Sequence, residues 1–219
     1  MELEEAIRQR RSIRRFQPEK IPLPLIKEML DLCRHAPSAC NIQGWRFIIV
    51  TDEKLKNEIF DHGGSMVIRD APQTVLFFYD KRTDNTEYND YIQSASAAIQ
   101  NFLLIAHSTG IGTCWVNHLP RKKVLQRIFH LPKRYEPIAA VILGYPSQER
   151  IVEMKRKFLV EEIISVNQEF PNLKLSAEGN TKHQIIKRFF RRLYYLAPKS
   201  VKRLLNKFLD EHFVKKFEN

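Results

Sequence analysis

The sequence predicts an α+β fold, and two observations carry that prediction. Apolar residues recur at helical spacing in several segments, while other segments are short continuous apolar runs of strand length. The two kinds are mixed along the chain without strict strand–helix alternation, which disfavours a doubly wound parallel sheet. The 219 residues, 43% of them hydrophobic, suffice for one large domain or a domain with an appendage.

The elements follow in order. Residues 2–9 read as a short helix with Leu3, Ala6 and Ile7 on one face. Residues 23–35 read as a second, with Ile26, Met29, Leu30 and Cys33 at i, i+3, i+4 and i+7, and Pro37-Ser38 marks its end. Trp45 to Val50 (WRFIIV) reads as a buried strand, and Thr51-Asp52 as a turn and cap leading into a helix. Thr74 to Tyr79 is a strand following Pro72. A long helix over 88–109 turns Ile92, Ala95, Ile99, Phe102, Leu103 and Ala106 inward. It ends at Gly110, which suits the left-handed position after a helix. Cys114 to Val116 and Ile138 to Leu143 are further short strands. In the tail, 183–196 places Ile186, Phe189, Phe190, Leu193 and Leu196 on one face. Pro198 sits where a new helix can begin, and 199–217 sets Val201, Leu204, Leu205, Phe208 and Phe213 opposite Lys and Arg.

Charge and cysteine usage narrow the class. The net charge is +11, and residues 181–219 hold eleven Lys and Arg against three acidic residues. The basic character therefore belongs to the tail. The acidic start, Met-Glu-Leu-Glu-Glu, is unlike a signal peptide, and no stretch approaches the ~20 apolar residues that span a bilayer. Cys33, Cys40 and Cys114 form no CxxC pair, so they read as buried thiols in a reducing, cytoplasmic compartment. The seven histidines show no metal-ligand spacing, so no metal is expected.

Two segments carry chemistry. Arg10, Ser12 and Arg14 alternate along the chain, and in an extended segment they project on one side. Two guanidinium groups and a hydroxyl suit a phosphate, although a solvated basic turn has the same composition. Ala36 to Phe47 (APSACNIQGWRF) lies between a helix and a strand. Its small residues let backbone approach a flat ring, and Asn41 and Gln43 both donate and accept hydrogen bonds, as a heteroaromatic edge requires. Taken alone, it also reads as a helix stop with local capping.

Together the two segments resemble the nitroreductase family. Arg10 to Phe16 is similar to its R-x-S-x-R-x-F element, and Ala36 to Phe47 to its A-P-S-x-x-N-x-Q-x-W-x-F element, with Gly44 where Pro is usual. Asp70-Ala71-Pro72, Gln100 to Leu104 with Gly110-Ile111-Gly112 and Trp115, and Pro137 to Pro146 resemble later landmarks in the same order. Lys155-Arg156-Lys157 followed by Glu161-Glu162-Ile163 resembles the closing R-x-P-L-x-E element, with Phe158 in place of Pro.

The resemblance covers roughly residues 2–166 and implies a central mixed, mostly antiparallel sheet flanked by helices. It implies an FMN-binding domain at 1–166, with 167–219 as a basic amphipathic helical extension. It also implies a homodimer with FMN at each of two interface sites. Arg10, Ser12 and Arg14 would then hold the phosphate and pyrimidine edge, with Arg11 adjacent and Arg156 as a second phosphate ligand. Pro37, Ser38, Ala39, Asn41 and Gln43 would come from the other subunit. Trp115, Val116 and Asn117 would line the ring near N5. The chemistry would be hydride transfer from NADH or NADPH through the flavin to a small nitro, quinone or related acceptor, with no protein catalytic group required.

Alternatives are reductive dehalogenation or flavin fragmentation on the same fold, and a flavin-free membrane-surface binding protein. For the tail, the leading expectation is packing of the apolar faces on the body or partner, leaving Lys187, Arg191, Lys202 and Arg203 to solvent. The second is peripheral contact with anionic membrane at the inner face. Nucleic acid is disfavoured, because no recognised binding fold accompanies the charge.

Overall fold

A computed structural model describes residues 1–81, 88–147, 156, 159–167, 197, 198, 200, 201 and 203–205. The chain divides into two compact units, Met1–Glu149 with Pro198–Asn219, and Arg150–Ala197.

In the first unit the order is α1 (Leu3–Gln9), α2 (Leu23–Cys33), β1 (Trp45–Val50), α3 (Glu53–Asp61), α4 (Met66–Asp70), β2 (Gln73–Asp80), α5 (Asp90–Ser108), β3 (Gly112–Val116), α6 (Lys122–Ile128) and β4 (Tyr135–Gly144). The four strands form one sheet in the order β1-β2-β4-β3, and every neighbouring pair is antiparallel. The parallel contribution is one isolated bridge, Ser12 to Thr113. The second unit contains α7 (Val160–Ile163).

β2 is buried along its whole length because it has a strand on each side and helices over both faces. On one face Val75, Phe77 and Tyr79 join Val141 and Leu143 against Ile26 and Met29 of α2 and Ile99 and Phe102 of α5. On the other, Leu76, Phe78 and Ile142 meet Ile59, Ile68 and Leu125 of α3, α4 and α6. The Phe77 ring stands edge-on to both Phe47 and Phe102, with centroids 5.2 and 5.7 Å away.

Local signals explain several element ends. Asp52 Oδ1 accepts from the backbone N–H groups of Lys54 and Leu55 and so caps α3. After α5, Gly110 has φ +78; its N–H donates to His107 O, and the Ile111 N–H reaches back to Ala106 O. That paired closure places Ile111 and β3 directly after the helix.

Several expectations need correction. β1 is an edge strand with only Trp45 and Val50 buried, because among the described residues no strand pairs with its outer side. Leu3 and Ile7 of α1 and Ile92 of α5 are exposed, so among the described residues their sides of these helices are left uncovered. Cys33 and Cys114 are buried, but Cys40 is exposed on a loop. The short helices α4 and α6 carry too few apolar repeats to stand out in the sequence.

The expected helix over 183–196 lies outside the described residues. Of 199–217, residues 200, 201 and 203–205 are described and have helical backbone. There Val201, Leu204 and Leu205 are exposed rather than packed on the body, while Arg203 is exposed as expected, its Nε 3.6 Å from Asp61 Oδ1. Among the described residues no helix is long and apolar enough to cross a membrane.

Candidate functional site

The segment after α1 is extended because it lies along the ends of β3 and β4. Ile13 N–H donates to Thr113 O at 2.9 Å, and Gln17 N–H to Tyr145 O at 2.8 Å. Two glycines permit this approach. A Cβ on Gly112 would stand 3.0 Å from Ile13, and one on Gly144 2.9 Å from the Phe16 ring.

Arg10, Ser12 and Arg14 all influence Cys114 of β3. Burial pushes the Cys114 thiol up, while Arg14, a hydrogen bond with the Ser12 side chain, and Arg10 pull it down, in decreasing order. All three residues therefore bear on one sulfur of β3. Arg11 turns back instead, donating to Arg8 O at 2.7 Å and Arg10 O at 2.9 Å.

His107, on the last turn of α5, is the residue that sequence reasoning missed. Its imidazole pKa is lowered by burial first and then by Arg10 and Arg11, with Glu5 opposing. Its Nε2 is buried without a hydrogen-bond partner. A buried polar atom without a partner carries a cost and asks for an explanation. That nitrogen lies in the positive field of Arg10 and Arg11, an environment that favours an anion such as a phosphate. The available signal was position: His107 comes one turn after Leu103 on the helix end nearest the basic segment.

The second motif folds into a strained loop. Ala39–Asn41 forms a 3₁₀ turn, and Cys40, Asn41 and Gln43 have φ of 49, 55 and 53. Left-handed backbone at non-glycine residues costs of order 1–3 kcal/mol each and survives only where the surroundings impose it. Ser94 of α5 imposes it here. Its hydroxyl accepts from Ala39 N–H at 3.2 Å, and its carbonyl from Trp45 Nε1 at 3.1 Å. Ser38 Oγ accepts from Gln43 N–H, and Gln43 Nε2 donates to Asn41 Oδ1 at 2.7 Å. Pro37, Asn41 and Gln43 are exposed, and Ser38 and Ala39 half-buried.

Trp115 is half-buried and Val116 buried on β3, while Asn117 is exposed just beyond it; Trp115 Nε1 donates to Asn117 Oδ1 at 2.5 Å. This third group shares β3 with Thr113 and Cys114, so it is joined to the Arg10–Arg14 segment through one strand. The Pro37–Gln43 loop is instead anchored at Ser94, which lies roughly 20 Å along α5 from His107 at 1.5 Å per residue. Arg156 is exposed in the second unit.

The sequence model of the nitroreductase family matches residues 7–69 and 62–145. A Methanothermobacter thermautotrophicus protein named "Putative NADH dehydrogenase/NAD(P)H nitroreductase" is 34% identical over 152 residues, covering 68% of this chain and 79% of that protein. An iodotyrosine deiodinase from Haliscomenobacter hydrossis is 26% identical over 180 residues, 68% of this chain and 81% of its own. A solved Desulfovibrio desulfuricans structure described as a "putative nitroreductase in complex with FMN" superposes with a TM-score of 0.66 at 29% identity. The superposition covers 78% of this chain and 99% of that one.

Proposed function

Because the chain belongs to the nitroreductase family, we propose that it is an FMN-dependent oxidoreductase that uses NADH or NADPH to reduce a small electron-poor acceptor, such as a nitro compound or quinone. The observation that carries this reading is the buried, unpartnered His107 Nε2, in the positive field of Arg10 and Arg11, together with the basic segment held against β3 by the Ile13–Thr113 hydrogen bond. The FMN complex of the Desulfovibrio desulfuricans relative supports the choice of anion.

In this reading Arg10, Ser12 and Arg14 hold the phosphate and the pyrimidine edge, with Arg11 adjacent and Arg156 as a second phosphate ligand. Trp115, Val116 and Asn117 line the ring. Bound FMN supplies hydride acceptance and return at N5. The protein's part is to bind, orient and exclude water, and guanidinium charge at the pyrimidine edge favours negative charge there.

The functional unit is a homodimer, and Pro37, Ser38, Ala39, Asn41 and Gln43 complete the site of the other copy. The wide separation of Ser94 and His107 along α5 favours a site completed in this way. So do the exposed Leu3, Ile7 and Ile92, which an interface would cover. We assign residues 1–166 to the FMN-binding domain and 167–219 to a basic helical extension.

Arg14→Ala removes a charge-assisted contact worth about 1.5–3 kcal/mol, so FMN binding should weaken ~10- to 150-fold in a fluorescence titration. Purified protein that has no flavin absorbance and takes up no added FMN would overturn the reading. The deiodinase relative motivates one competing acceptor class, halogenated phenols. Faster turnover of iodotyrosine than of nitroaromatics under one NAD(P)H supply would move the assignment there.

A further inference from the structure

Among the described residues one histidine nitrogen is buried without a hydrogen-bond partner, Nε2 of His107 on the last turn of α5. Leaving it so costs free energy, which a group arriving from outside the chain can recover. The fold brackets this end of α5 with the basic segment. Helix α1 packs on α5, and the Arg10 N–H closes α1 on Ala6 O. The Gly110 N–H donates to His107 O, and the chain turns there into β3, where Thr113 O accepts from the Ile13 N–H at 2.9 Å. The Arg10–Ile13 segment is thus tied at one end to a helix packed on α5 and at the other to the strand that follows α5.

We propose that His107 is a ligand of the FMN phosphate and takes up a proton as the cofactor binds. This rests on the flavin reading above and adds a proton to it. Burial, then Arg10 and Arg11, push the imidazole pKa down against Glu5, so the free ring favours its neutral form. The other elements packed on α5, α2 and the sheet, turn apolar residues to it. A phosphate monoester carries about −1.5 to −2 charges at neutral pH and offsets the two guanidinium groups. The end of a helix also favours a cation, so the imidazolium gains from both. Protonated, Nε2 donates a charge-assisted hydrogen bond to a phosphate oxygen and is no longer orphaned. The proton comes from solvent, and no covalent bond changes. Between the pKa of the free ring and that of the bound ring, FMN affinity therefore falls as pH rises.

The test titrates the full chain with FMN and with riboflavin, which lacks the phosphate, between about pH 5.5 and 8.5. Calorimetry in two buffers of different ionisation enthalpy counts the protons. Wild type should take up more protons with FMN than His107→Gln does, by at most about one, and the two should not differ with riboflavin. The phosphate's own titration is common to both chains and cancels in that comparison. His107→Gln keeps an uncharged donor, so it should bind FMN about tenfold more weakly at the acid end, with riboflavin affinity unchanged. His107→Asn is the second variant and should act in the same direction. Equal proton uptake by wild type and both variants overturns the proposal while leaving the flavin reading in place. So does a parallel loss of FMN and riboflavin affinity, which marks a structural role. A chain that binds neither flavin removes the flavin reading and this proposal with it.

Discussion

Tyr79 occupies the space that a side chain at position 44 would need. A Cβ there would meet Tyr79 Cε1 at 2.5 Å, and Tyr79 is fully buried between α2, α5 and the sheet. The departure from the family's usual Pro before the Trp thus has a steric reason in this chain. Gly44→Ala should cost about 1–3 kcal/mol by overpacking, read as a lower urea midpoint with an unchanged slope. An unaltered midpoint would mean that the ring moves aside freely.

His107 makes a second prediction at this scale. Burial, Arg10 and Arg11 lower its pKa against the opposing Glu5, so the folded state prefers the neutral ring. The contribution is present above the unfolded value of about 6.5 and is lost as pH falls through the folded pKa. The melting temperature of flavin-free wild type should therefore fall more between pH 7.5 and 5 than that of His107→Asn. Parallel pH profiles would exclude His107 as the source.

At the scale of the element, α3 depends on its first turn. Asp52 serves two of its N–H groups, and this helix also carries Lys56, whose Nζ is buried against Ala71 O and paired with Glu53 at 2.8 Å. Asp52→Ala should destabilise by ~1 kcal/mol, whereas Asp52→Asn should retain most of the cap. A thermal melt of the two variants separates these outcomes, and equal losses would show that the carboxylate charge rather than its geometry matters. Helix α5 acts differently, as a ruler. It seats the Pro37–Gln43 loop through Ser94 near one end and places His107 by the basic segment at the other.

At the scale of the molecule, the proposed flavin site, drawn from two copies, would make assembly and cofactor binding interdependent. Sedimentation over a dilution series should show a dimer that persists while FMN is bound. A flavin-loaded monomer would remove Asn41 and Gln43 from the site.

Helix α5, strands β1, β2 and β4, and the Asp52 cap were legible because each rests on local information: an apolar period, a short apolar run, or an oxygen-bearing side chain before a helix. The Arg10–Arg14 and Ala36–Phe47 segments were legible for a related reason, since residue types at fixed spacing survive in one dimension. What folding alone decided are relations between distant positions. That β1 lies at an edge depends on which strand neighbours which, and sequence order does not state it. The inward turn of His107 depends on α1 and its following segment arriving beside α5. The exposure of Val201, Leu204 and Leu205 depends on which parts of the chain lie beside them, which their spacing does not state. An amphipathic pattern specifies that a helix has two faces; only its neighbours determine which face meets the protein.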